Sequence, residues 1–192
     1  MTAAPAFDDS SQLRVLRGDF LATSTASMPI AGILFWAAAA GASRVLAPQQ
    51  LAYFVGFGSG AVFPLGLVID RLRGRPMLQG KSTNPVVKMF LQCLTIVALL
   101  WPLVIIAGAD RPGLIVLGGA ILMGLVWVPY GWAADDPVGM RHAIARTILC
   151  YAAYLFVPVS FRSTVICGIV LLCYAYSFVT MRRAPRMVDG GA

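Results

Sequence analysis

The sequence predicts an all-α, polytopic transmembrane helical bundle with six spans and both termini cytoplasmic. Three observations carry that expectation. Of 192 residues, 59% are hydrophobic and 12% are charged, against about 45–50% and about 25% in soluble domains. Six stretches are long and apolar enough to cross a bilayer, and the basic residues fall unevenly on the connectors between them. With a mean hydropathy of +0.80, the chain has too little charge to clothe a globule in water. Lipid is therefore its main solvent.

A hydrocarbon core about 30 Å thick needs roughly 20 mainly apolar residues at 1.5 Å each. The first span is expected at Leu21–Ala42 and the second at Leu51–Ile69. The third is placed at Val86–Gly108, the fourth at Gly113–Ala133, the fifth at Ala143–Val159 and the sixth at Val165–Met181. Short polar or proline-bearing breaks separate them, such as Ser43–Gln50 and Ala109–Pro112. The mildest break is Pro158–Thr164, where a re-entrant turn is the alternative to a full hairpin. Residues 20–181 then form one membrane domain, flanked by a cytoplasmic tail over 1–19 and a basic tail over 182–192. The first tail is expected to be mobile, with a short amphipathic piece (Leu13, Val15, Leu16, Phe20) at the interface. Arg14 and Arg17 before an apolar run ending in alanines resemble a signal peptide, but the run is long, so an uncleaved signal-anchor is the preferred reading.

Charge allocation supports six spans. One side collects twelve basic residues: Arg14, Arg17, Arg71, Arg73, Arg75, Lys81, Lys88, Arg141, Arg146, Arg182, Arg183 and Arg186. The other holds three, Arg44, Arg111 and Arg162. Excess Lys and Arg in short loops marks the cytoplasmic face, which makes the plasma (inner) membrane the expected location. The formal charge of +7 is thereby mostly topological, and no nucleic-acid partner is expected.

Several groups are candidates for function. Lys88 and Gln92 share a face near the start of span three; His142 and Arg146 do so in span five, continued by Cys150 and Tyr154. With Asp70 closing span two, they would form a polar vestibule on the cytoplasmic side. The bland alternative is that Lys88 and Arg146 snorkel to the interface and that His142, the single histidine, is incidental. Gly56, Gly60 and Pro64 in span two suggest either close helix packing or local unwinding. The connector residues Arg71, Arg73, Arg75 and Lys81 are candidates for contact with anionic lipid headgroups. Thr23–Ser27 reads as hydroxyl glue between helices, and Tyr53, Trp101, Trp127, Tyr130 and Trp132 as interfacial anchors. The four cysteines lie within spans without metal-ligand spacing, so they read as small apolar residues.

Catalytic patterns are lacking. All eight acids are aspartate; there is no HExxH, GxSxG or Walker A sequence and no second histidine. No enzyme, cofactor or metal site is expected.

The run Phe63–Pro76 followed by Asn84-Pro85-Val86-Val87, together with Val128-Pro129-Tyr130-Gly131, resembles a family of uncharacterised bacterial multi-pass membrane proteins. In that family a Pro-Leu closes one span and an Asn-Pro-Leu-like turn opens the next; here Val86 stands in place of that leucine, and a histidine of the later segment is absent. The resemblance implies six spans and a bacterial origin, and brings no activity. Two functions fit the residues: a small transporter or channel-like protein of unknown small-molecule or ion substrate, or an accessory scaffold that binds anionic lipid. Six short helices with few polar residues enclose little pore, so a homo-oligomer is expected for the first.

Overall fold

The computed structural model describes residues 9–23, 27–73 and 83–183, and all regular structure among them is helical. Helix α1 (Asp9–Thr23) precedes α2 (Ser27–Ala42), and α3 (Pro48–Gly58) runs through a 3-10 turn (Ser59–Ala61) into α4 (Val62–Leu72). Next come α5 (Pro85–Leu99) with α6 (Trp101–Ala107), α7 (Pro112–Leu125) with α8 (Trp127–Ala134), then α9 (Val138–Phe156) and α10 (Val159–Thr180).

Prolines start three of these units. Pro48, Pro85 and Pro112 sit in the first turn, where the missing N–H would be unpaired anyway and φ is preset for helix. The Asn84 side chain caps α5 by accepting from the Val86 N–H at 2.8 Å. Between α9 and α10 the break shrinks to Val157 and Pro158, both extended, as expected for a proline and the residue before it. Arg162 wraps this corner, donating from Nε to the Val157 carbonyl at 3.3 Å and lying 4.5 Å over the Tyr154 ring. His142 near the start of α9 meets Ser177 near the end of α10, so the two helices pack antiparallel as a hairpin.

By length and composition, four units can cross a membrane: Pro48–Leu72, Pro85–Ala107, Pro112–Ala134 and Val159–Thr180. A fifth arises only if Ser11–Ala22 and Ser27–Ala42 are taken together across a bend of 51°. The chain is thus a membrane-embedded protein of four or five such helices, short of the six expected. The shortfall has two physical sources. Helix α2 alone has 16 residues, about 24 Å of rise, because the apolar run from Leu21 is divided between α1 and α2. Helix α9 has 19 residues but carries Arg141, His142 and Arg146, which lower its hydropathy.

The span-two glycines do not pack as a G-x-x-x-G pair. A Cβ on Gly60 would meet nothing within 4 Å, and one on Gly56 would touch Ile115 at an ordinary 3.6 Å. Nor does the helix unwind: the backbone tightens for one 3-10 turn ahead of Pro64, which has no N–H to offer the Gly60 carbonyl. A close backbone approach occurs instead between α8 and α9, where a Cβ on Gly139 would collide with the Trp127 carbonyl oxygen and lie 2.6 Å from Gly131 Cα.

The short link between these two helices ties the termini of the fold together. Asp135 adopts a left-handed conformation (φ 52°), which aspartate tolerates better than most residues. Its carboxylate pairs with Arg17 of α1 at 3.0 Å and with Arg182 after α10 at 3.4 Å. The buried Asp136 accepts from the backbone N–H of Val138 at 2.9 Å and of Arg182 at 2.6 Å. Arg17 also lies 4.8 Å over Trp132, and Asn84 Nδ2 donates to the Leu16 carbonyl at 2.8 Å. Residues 9–23 are therefore a continuous docked helix crossing the expected tail boundary at 19, with Phe20 buried against Phe90 and Tyr130. Residues 1–8 lie outside the described part of the chain.

Candidate functional site

Helix α9 has its polar stripe inward and its apolar stripe outward. His142, Arg146 and Cys150, four residues apart, are buried, whereas Met140, Ile144, Ile148 and Leu155 are exposed. A helix in water arranges these the other way round. Arg146 has 0% exposure and His142 1%, so Arg146 does not snorkel.

Small residues on facing helices make the room. A Cβ on Gly124 of α7 would lie 2.9 Å from Arg146 Cδ and 3.2 Å from its Nε, and one on Gly32 of α2 would lie 2.5 Å from Tyr174 Oη. Into this space fold three rings. The Arg146 guanidinium carbon is 5.2 Å from the ring centroids of both Trp36 and Tyr174. Trp127 stacks on His142 at 4.3 Å and 15°, and Tyr174 meets the same imidazole edge-on at 5.3 Å.

Arg146 Nη1 stands 3.4 Å from His142 Nε2, and His142 Nδ1 stands 2.7 Å from Ser177 Oγ. Arginine only donates, so Nε2 accepts, the imidazole is the neutral Nδ1–H tautomer, and Ser177 Oγ accepts from it. This leaves Arg146 Nε and Nη2 buried with no hydrogen-bond partner. Neither Arg17–Asp135 nor Arg182–Asp135 involves Arg146, and among the described residues no carboxylate pairs with it. An uncompensated buried charge costs about 3–5 kcal/mol; cation–π contact with the two rings offsets about 2 kcal/mol of it.

Beside the pair lies a cavity of about 580 Å³ bounded by α2, the 3-10 turn, α4, α5 and the α7–α8 unit. Its lining is mainly apolar, including Phe63, Phe90, Leu94, Met123 and Val126. Trp127 and Tyr174 also line it, so the rings that contact His142 and Arg146 on one side face the cavity on the other.

Of the five residues expected to form a vestibule, the structure joins two, His142 and Arg146. Asp70 is buried on α4 and hydrogen-bonded to Ser27 of α2. Lys88 and Gln92 are exposed on α5 and do not line the cavity, because the inward face of that helix is Val86, Val87 and Phe90. Arg71 and Arg73 are exposed at the end of α4; Arg75 and Lys81 lie outside the described residues. Trp127 and Tyr130 are buried rings of the core, not interfacial anchors, while Tyr53 and Trp132 remain exposed. Three of the four free cysteines, Cys150, Cys167 and Cys173, are buried, and no metal-ligating group of three or more His, Cys, Asp or Glu occurs among the described residues. Gly124 stands out in the sequence only as a small residue four after Ala120, and Trp36, Tyr174, Ser177 and Gly32 were not singled out. Their signal was the spacing: Gly32 with Trp36 at four residues, and Gly124 with Trp127 and Tyr174 with Ser177 at three, each pair sharing a helix face.

The family model described as a family of unknown function (DUF7010) matches residues 19–183, and the chain belongs to that family. No curated protein and no solved structure matches the chain.

Proposed function

We propose that this member of a family of unknown function is a six-crossing plasma-membrane carrier, with both termini cytoplasmic, that binds and moves an anion through a site built on Arg146 and His142. The observation that carries the reading is the fully buried Arg146 guanidinium with two unpartnered N–H groups and, among the described residues, no carboxylate paired with it. Ionisable groups within membrane segments are costly, and they commonly mark a substrate path. Support for α9 as a further crossing comes from its outward Ile144, Ile148 and Leu155, and support for the orientation from the twelve-to-three division of basic residues. Membrane lipids are its surroundings and a homo-oligomer its expected assembly; neither catalysis nor a nucleic-acid partner is assigned.

Proteoliposome flux of a panel of chloride, phosphate, acetate and decanoate tests the reading. Protein-dependent flux of at least one anion, lost in Arg146→Gln with the protein still folded, is expected. Absence of flux for every anion, or flux unchanged by the substitution, overturns it.

Exposure of Arg71 and Arg73 at the end of α4 favours a second reading, in which the protein is a scaffold holding anionic headgroups there.

A further inference from the structure

We infer that the ligand of this site is an amphiphilic monoanion, an alkyl carboxylate whose chain fills the apolar cavity and whose headgroup binds Arg146. This deepens the anion-carrier reading and rests on its assignment of Arg146.

The headgroup follows from which donors are left over. Nη1 is engaged by His142, while Nε and Nη2 are not engaged. Those two N–H bonds lie parallel on one edge of the guanidinium, the fork that takes both oxygens of a carboxylate. The charge balance is also single: among the described residues Arg146 is the cation of this site, because accepting from Arg146 keeps His142 neutral. A monoanion compensates it and a dianion does not.

The chain follows from the neighbouring space. At about 580 Å³ the cavity falls within the range of about 300–1,000 Å³ typical of small-molecule sites. Gly60, Thr95 and Ala98 both line it and are exposed. These residues lie within the apolar units Pro48–Leu72 and Pro85–Ala107, so the cavity opens at hydrocarbon depth and not at the aqueous ends. An apolar chain enters from lipid without crossing water. Trp127 and Tyr174 line the cavity while Trp127 packs on His142 and Tyr174 on Arg146, so in this proposal the headgroup reaches the guanidinium past the Tyr174 ring.

Protein in phosphatidylcholine nanodiscs, titrated with sodium decanoate, sodium acetate or decanol against empty nanodiscs, provides the test through tryptophan emission, since Trp101 and Trp127 line the cavity. Decanoate is expected to give a saturable change, acetate none in the same range. Arg146→Lys should weaken decanoate by at least about tenfold, the loss of a charge-assisted bidentate contact, and leave decanol unchanged. Gly60→Phe, placed where a Cβ meets open space, should abolish decanoate and decanol binding with the unfolding temperature unchanged. Acetate binding as tightly as decanoate overturns the amphiphile while leaving the carrier reading intact. Decanoate binding untouched by Arg146→Lys overturns the headgroup assignment, and binding untouched by Gly60→Phe overturns the chain assignment. Decanoate bound in this way but not transported leaves the inference standing and removes the carrier reading.

Discussion

Replacing Gly139 by alanine should unlock the α8–α9 crossing, whereas the same change at Gly60 should not harm the fold. At Gly139 the new methyl would lie 2.6 Å from Gly131 Cα and 2.7 Å from Gly131 N, and closer still to the Trp127 carbonyl oxygen. All three are backbone atoms, so no side chain can rotate away. Reaching an ordinary 3.4 Å contact requires the helices to part by roughly 1 Å, enough to forfeit a quarter to a half of the dispersion energy at each affected contact. Overpacking of this kind costs about 1–3 kcal/mol, and the rigid neighbours place Gly139→Ala near the upper end. Gly60→Ala fills open space and should gain about 0.4–1 kcal/mol by restricting the unfolded chain. Equilibrium unfolding by SDS titration in mixed micelles reads both, with an expected separation of about 3–4 kcal/mol. A Gly139→Ala protein within about 0.5 kcal/mol of the parent, or a Gly60→Ala protein as damaged as Gly139→Ala, would refute the reasoning.

Asp136→Ala should cost about 2–3 kcal/mol in the same titration by leaving the Val138 and Arg182 N–H groups unpaired. Asp135→Asn should cost under about 1 kcal/mol, because that carboxylate is 61% exposed and its ion pairs are screened; the reverse ranking would contradict the geometry. Fluorescent-protein and alkaline-phosphatase fusions at each terminus should report the cytoplasm, and a periplasmic signal at either end removes the six-crossing model. If the scaffold reading holds, Arg71→Gln with Arg73→Gln should reduce anionic lipid retained through purification, at about 1 kcal/mol per basic residue; retention equal to the parent, measured by mass spectrometry of bound lipid, counts against it. Arg146→Met should leave the unliganded protein as stable as the parent or more so while abolishing decanoate binding; destabilisation by more than about 2 kcal/mol would make Arg146 a structural residue.

Three of the spans were legible to within three residues, since Leu51–Ile69, Val86–Gly108 and Gly113–Ala133 became Pro48–Leu72, Pro85–Ala107 and Pro112–Ala134. Apolar runs and prolines at first turns are local signals and survive folding. The α1–α2 division was not legible, because the run from Leu21 stays apolar across it. The Gly131–Gly139 crossing joins residues on either side of a link, with no motif spacing to announce it. Lys88 and Arg146 illustrate the remaining difficulty. Each is a basic residue of a helix with a polar partner four residues away, and they differ in which way the helix face turns. The stripe containing Arg146 continues into Cys150 and is opposed by Ile144 and Ile148, whereas Lys88 lies away from the inward face of Val86, Val87 and Phe90. Comparing opposite faces, rather than counting charges by depth, separates the two.

That comparison also explains why α9 falls outside the helices long and apolar enough to cross a membrane. Its hydropathy is lowered by the same residues that build the candidate site, so the apolar test and the functional reading pull against each other by physical necessity. A charge at helix centre costs about 2.5–3.5 kcal/mol on insertion scales, and a chain selected only for stable insertion gains by replacing it with an apolar side chain. Here the surroundings instead accommodate it. Gly124 yields space to its stem, Gly32 to the Tyr174 ring, and Trp36 and Tyr174 turn their faces to its cation. Yet the arrangement stops short of neutralising it, leaving the Nε and Nη2 edge unpaired. A structural arginine would be expected to have all its donors taken, because a half-satisfied buried network is worse than an apolar core. On the carrier reading, that unpaired edge is what separates a binding site from a packing solution, and the stability of Arg146→Met bears on the reading as directly as a flux measurement.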